Sequence, residues 1–145
     1  MKTLFNLLAV AFFLCAARTQ CSAMISVEDV SQERAKELGV TFRTHTNGEA
    51  GIRVWMEFKL KGELQKITYV ELQVGDGPER IVSGHLRVSN PDPATASVNF
   101  SAFPAYLSKS TLMIVVYNGP RGDVGYQFKV KDFIEPPKQG APGNH

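Results

Sequence analysis

The chain has 145 residues, 16 Lys and Arg against 14 Asp and Glu, and 43% hydrophobic side chains. That length suits one domain with a sizeable core. The near-balanced charge, with no Lys/Arg cluster able to neutralise a run of phosphates, excludes an electrostatic nucleic-acid binder.

The first 23 residues read as a secretory leader. Lys2 gives a positive start, Leu4 to Ala17 is apolar apart from Asn6, and small residues follow at cleavage spacing as Cys15/Ala17 and Cys21/Ala23. The apolar run is about 14 residues, short of the roughly 20 that a bilayer-spanning helix needs. No transmembrane span is therefore expected in the mature chain. Cleavage removes Lys2 and, after Ala23, Arg18 as well, which leaves 14 basic and 14 acidic side chains from Met24. It also removes one or both of the only cysteines, Cys15 and Cys21, so no internal disulfide can form. A cysteine-poor exported domain points to a secreted or periplasmic protein of bacterial type. A lipidated cysteine would need a small residue before it, and Leu14 and Gln20 stand there instead.

After the leader, Met24 to Val27 reads as a short edge strand. Ser31 can cap a two-turn helix over Gln32 to Leu38, with Glu33 in its first turn, Lys36 later and Gly39 at its exit. Val40 to Thr46 is a strand. Ile52, Val54, Met56, Phe58 and Leu60 then alternate with Arg53, Trp55, Glu57, Lys59 and Lys61, a strand with one buried face. Gly62 interrupts, and Val70, Leu72 and Val74 oppose Tyr69, Glu71 and Gln73. Gly75-Asp76-Gly77-Pro78 forces a turn. Ile81-Val82 and Leu86/Val88 form one strand, stopped by Asn90-Pro91-Asp92-Pro93. Val98 and Phe100 alternate with Ser97, Asn99 and Ser101. Leu112 to Tyr117 is apolar on both faces, as a doubly covered central strand should be. Asn118 to Asp123 then forms a hairpin loop into the strand of Tyr126, Phe128 and Val130. The Pro/Gly-rich tail Glu135 to His145, without a large apolar side chain, is expected to be disordered.

Seven or eight short strands separated by turn signals predict an all-β, antiparallel sandwich over residues 24–134 with one short N-terminal helix. The stretch Leu107 to Val115 resembles the start of the penultimate strand in fibronectin type III and other immunoglobulin-like domains, with Met113 where that pattern usually has Tyr. The resemblance implies the immunoglobulin-like superfold and no particular activity.

No catalytic constellation is legible. Gly-x-Ser-x-Gly is absent, Glu57, Glu71 and Asp76 are spaced as solvent-face or turn residues, and no Gly-rich phosphate loop precedes a helix. His45, His85 and His145 share no metal-ligand spacing. Neither cofactor nor metal is expected. Arg121-Gly122-Asp123 matches an integrin-binding tripeptide on a loop, but Gly and Asp are also what a tight turn selects. Asn99-Phe100-Ser101 is a glycosylation acceptor if the source is eukaryotic. The candidate binding residues are Trp55, the only tryptophan, with Arg53 and Glu57 on the polar strand face, and Tyr69 as a cross-strand neighbour. An exposed Trp/Tyr pair among charges suits sugar stacking or protein contact.

The sequence therefore predicts an exported, non-catalytic binding or structural module with a protein or glycan partner at the cell surface or in the periplasm. Carbohydrate binding or adhesion through Trp55/Tyr69 is the alternative, followed by a small periplasmic enzyme or metal carrier. Intact-mass analysis of exported protein should give an unlipidated chain starting at Arg18 or Met24; retention of residues 1–17, or a diacylglyceryl addition, would contradict this.

Overall fold

The computed structural model describes residues 25–46, 51–75 and 82–134. The leader, the turns at Asn47-Gly48 and Asp76 to Pro78, Ile81 and the tail lie outside the described residues. The described chain runs β1 (Ser26–Asp29), α1 (Gln32–Leu38), β2 (Val40–Thr46), β3 (Ile52–Lys59), a 3-10 turn (Gly62–Lys66), β4 (Ile67–Val74), β5 (Val82–Leu86) and β6 (Ser89–Asp92). It continues through β7 (Thr95–Ala102), α2 (Pro104–Leu107), β8 (Ser110–Val116), a 3-10 turn (Gly119–Arg121), β9 (Val124–Lys129) and a last 3-10 turn (Val130–Asp132).

Two sheets result, ordered β1-β9-β8-β4-β5 and β2-β3-β7-β6, and their apolar faces share one core. The architecture is sandwich-like and antiparallel throughout except for β1, which runs parallel to β9. The alternation in β3 sets the register. Ile52, Val54, Met56 and Phe58 are all buried, while Arg53 and Lys59 are exposed. Phe58 pairs with Val40 on one side and Ala96 on the other, and Met56 with Phe42 and Val98, so β2, β3 and β7 turn one apolar surface inward. The opposing sheet contributes Val70, Leu112, Ile114, Val116, Tyr126 and Phe128. Phe42 stacks on Phe133 at 4.8 Å between centroids, and Phe128 meets Phe133 edge-on at 5.7 Å, closing one end.

α1 follows its capping code. Ser31 Oγ accepts the Arg34 backbone N–H at 3.2 Å, and Gly39 leaves the helix at φ 72°, a left-handed conformation that favours glycine. Ala35 and Leu38 enter the core. β8 is buried on both faces as its sequence predicts: Leu112, Ile114 and Val116 face the core, while Met113 and Val115 are buried on the outer side. Gly125 of β9 makes room there, since a Cβ at that position would lie 2.9 Å from Met113 Sδ and 3.2 Å from Ile25 Cγ2.

Two expectations are corrected. The strand expected from Ile81 to Val88 ends at Leu86, and Asn90-Pro91-Asp92 is not a stop. Ser89–Asp92 is itself β6, which has crossed into the other sheet to pair with β7. β6 is an edge strand whose register with β7 breaks between Ser89 and Asp92, and both an edge and a bulge tolerate a residue without an N–H, here Pro91. The one-turn helix α2, begun by Pro104 at its first position, was also not foreseen.

The register is testable. Phe58→Ala should cost about 3–5 kcal/mol in chemical denaturation, as large-to-small core changes do. Lys59→Ala should cost about 1 kcal/mol, because it removes the part-buried 2.8 Å hydrogen bond from the Lys59 ammonium to Thr95 Oγ1. Equal losses would exchange the two faces of β3.

Candidate binding cleft

Two stretches separated by about a hundred residues build one end of the molecule. β1 pairs with β9 from Ser26↔Val124 to Asp29↔Gln127, which sets Glu28 beside Tyr126. The 3-10 turn Gly62–Lys66 is anchored by Leu64, which is fully buried, so its neighbours Glu63 and Gln65 are held at the surface. α1 supplies Arg34, whose guanidinium ties these pieces together. Its Nε donates to Glu28 Oε1 at 2.9 Å, its Nη2 to Glu63 Oε2 at 2.7 Å and its Nη1 to Glu37 Oε2 at 3.3 Å. Tyr126 Oη donates to the same Glu63 oxygen at 2.6 Å, and the guanidinium carbon lies 6.0 Å from the Tyr126 ring centre.

These contacts move the ionisation of their members. The hydrogen bond from Arg34, followed by that from Tyr126, holds the Glu63 carboxyl below its ordinary 4.5. Hydrogen bonding to Glu63 and then Glu28 raises the Arg34 guanidinium above its ordinary value. Burial first, and the hydrogen bond to Glu63 second, push the Tyr126 phenol up to about 12.

Beside this network opens a cleft of about 720 Å3, within the range of small-ligand sites. Buried Val116 and Tyr126 and half-buried Val124 line it together with the exposed Gln65, Lys66, Tyr117 and Asn118. Ser26, Glu28, Glu63, Gly62 and Gly119 complete the wall. The Tyr117 backbone N–H donates to the Lys66 carbonyl at 2.9 Å, fixing two sides of the cleft to each other.

The residues expected to bind are divided by the fold. Trp55, Arg53 and Glu57 stay together on the outer face of β3, with the Arg53 guanidinium 5.4 Å from the Trp55 ring centre and Glu57 paired to Arg43 at 3.2 Å. Trp55 is half-buried, opposite Arg43 on β2 and Asn99 on β7. Tyr69 is not its cross-strand neighbour: the 3-10 turn after β3 carries the chain into the other sheet, where Tyr69 stacks on His85 at 4.3 Å. A joint Trp55/Tyr69 platform therefore does not exist. His45 is exposed opposite Arg53, and Arg121 is exposed in the turn before Gly122 and a half-buried Asp123. Among the described residues no three His, Cys, Asp or Glu side chains group as metal ligands, and no helix is long and apolar enough to cross a membrane.

Sequence reasoning missed Glu28, Arg34 and Glu63, which come from three separate elements and form no local motif. Tyr126 was the readable signal, since a tyrosine at an inward position requires a partner for its hydroxyl. Comparison of the sequence with protein-family models and with curated proteins finds no match.

The shifted groups predict two pH effects. Tyr126 has a raised folded value, so its stabilising contribution is complete below its ordinary value of 10.0 and is lost as pH rises toward about 12. An absorbance titration of phenolate should show a component near 12 that Tyr126→Phe removes. Glu63 has a lowered folded value, so its contribution is complete above 4.5 and is lost as pH falls through that lower value. The difference in melting temperature between wild type and Glu63→Gln should therefore shrink on acidification below 4.5.

Proposed function

We propose that the chain is an exported, non-catalytic binding module that takes its ligand in the cleft organised by Arg34. The observation that carries this reading is the fixing of two cleft carboxylates, Glu28 and Glu63, by one guanidinium and one phenol before any ligand arrives. Pre-ordered polar groups beside an apolar floor cut the ordering cost of binding. Export to the periplasm or outside the cell is supported by the leader pattern over residues 1–23. The same leader would leave a mature domain whose stability rests on its apolar core without disulfides.

Strand order supports an immunoglobulin-like type. The sheet β2-β3-β7-β6 corresponds to strands A, B, E and D of that topology, and β9-β8-β4 to G, F and C. The parallel β1 adds a strand beside the last one. A second reading, contact with a protein or glycan through the outer face of β3, is favoured by the half-exposed Trp55 with Arg53 against it.

The two readings separate in sedimentation binding to the insoluble cell-envelope fraction of the source cell. Asn118 lines the cleft at an exposed position and is not among the hydrogen-bond partners of the Arg34 network, so Asn118→Trp places a large ring there. It should lower retention by roughly tenfold or more, equivalent to about 1.4 kcal/mol, with an unchanged melting temperature. Trp55→Ala should retain binding. The reverse pattern would move binding to the β3 face, and no retention of wild type would overturn the binding function.

A further inference from the structure

The charges around the cleft leave one net negative charge. Glu28, Glu37 and Glu63 are set against Arg34, which bonds to all three, and Lys66 adds a second cation on the lining. An anionic ligand would therefore meet no complementary field, yet the cleft is rich in groups that form hydrogen bonds. Glu63 receives both its bonds on Oε2, and Glu28 meets Arg34 through Oε1. Among the described residues, the second oxygen of each carboxylate is therefore available to accept from a ligand hydroxyl. Gln65 and Asn118 amides and the Lys66 ammonium are donors on the same lining. Tyr117 is 57% exposed on the cleft lining, and Val116 and Val124 add apolar surface.

Carboxylate acceptors, amide donors, an exposed aromatic ring and no net positive charge together complement the surface of a neutral sugar ring, with hydroxyls around its edge and C–H groups on its faces. We infer that the cleft binds a neutral polyhydroxylated ligand, a sugar unit of an uncharged glycan, with Tyr117 as its stacking surface. This rests on the cleft being the ligand site, and it goes further by naming the ligand class and assigning Tyr117, which lies far from Trp55 in sequence and in a different sheet's loop. Because the carboxylates are locked to Arg34 at 2.7–2.9 Å, hydroxyl recognition requires no rearrangement of the protein. Ion pairing contributes nothing to such a complex, so its affinity should be insensitive to salt.

The experiment is retention of purified protein on immobilised neutral, uronic, sulfated and amino glycans at low salt and at about 1 M salt. Wild type should bind neutral glycans equally at both salt concentrations. Tyr117→Ala should weaken binding about tenfold, Asn118→Trp should abolish it, and Trp55→Ala should leave it unchanged. Melting curves of all three variants establish that they are folded. Binding confined to charged glycans, sensitive to salt and lost in Asn118→Trp, would overturn the ligand class while leaving the cleft as the site. Binding that survives Asn118→Trp but is lost in Trp55→Ala would overturn both. Retention on no glycan would overturn the inference, and the envelope assay with Asn118→Trp would then decide the cleft alone.

Discussion

Arg34 presents a planar fork of donors and commits three nitrogens to three carboxylates, Glu28, Glu37 and Glu63. Those partners belong to β1, α1 and the 3-10 turn before β4, and Tyr126 of β9 joins through Glu63. The parallel ladder seats β1 on β9, and this one side chain ties that pair to α1 and to the turn that walls the cleft. Partly exposed ion pairs of this kind contribute only about 0–1 kcal/mol each. Their work here is positional. Stability comes from the aliphatic and aromatic side chains that fill the space between the sheets, where Val54, Met56, Leu64, Val70, Leu112, Ile114, Phe128 and Val130 are all fully buried.

What was legible in the sequence was what is encoded by neighbouring residues. The period-two pattern of β3 specified which side chains face inward, and Ser31 and Gly39 marked both ends of α1. The apolar run of β8 announced a strand covered on both sides. Strand pairing is a different matter, because it joins residues far apart in the chain. Trp55 and Tyr69 stand on consecutive strands, and only the direction taken by the Gly62–Lys66 turn determines that they fall in separate sheets. The same reason hides the Arg34 network. Pro91 misled in another way: proline signals a strand's end unless the strand is an edge, and edge status is a property of the finished sheet.

The two outer faces of the molecule differ in kind. On the β2-β3-β7-β6 sheet, charged and polar side chains surround a single half-buried tryptophan. On the other sheet, Val115 is fully buried and Met113 lies across Gly125, with Tyr69 and His85 stacked nearby. A methionine suits this position because its flexible thioether fills the shallow space left by a missing side chain. Gly125 and Met113 are therefore matched diagonally: Gly125 pairs with Val115 and Met113 with Gln127, and the methionine reaches over the glycine.

The parallel pairing of β1 with β9 also bears on how the chain reaches this state. Contacts such as Gln127 with Asp29 join residues 98 positions apart, and Gln32 with Asp132 spans 100. Pairing of this kind must wait until β9 itself has been made, and closing so long a loop is slow. A partly synthesised chain lacks β9, so neither the first strand nor the cleft beside it can form early. Until then the edge of β8 that β9 will occupy stays unpaired, the kind of edge to which other chains can add. Arrival of β9 is thus the step that covers the edge of β8 and lets β1 and the cleft form together.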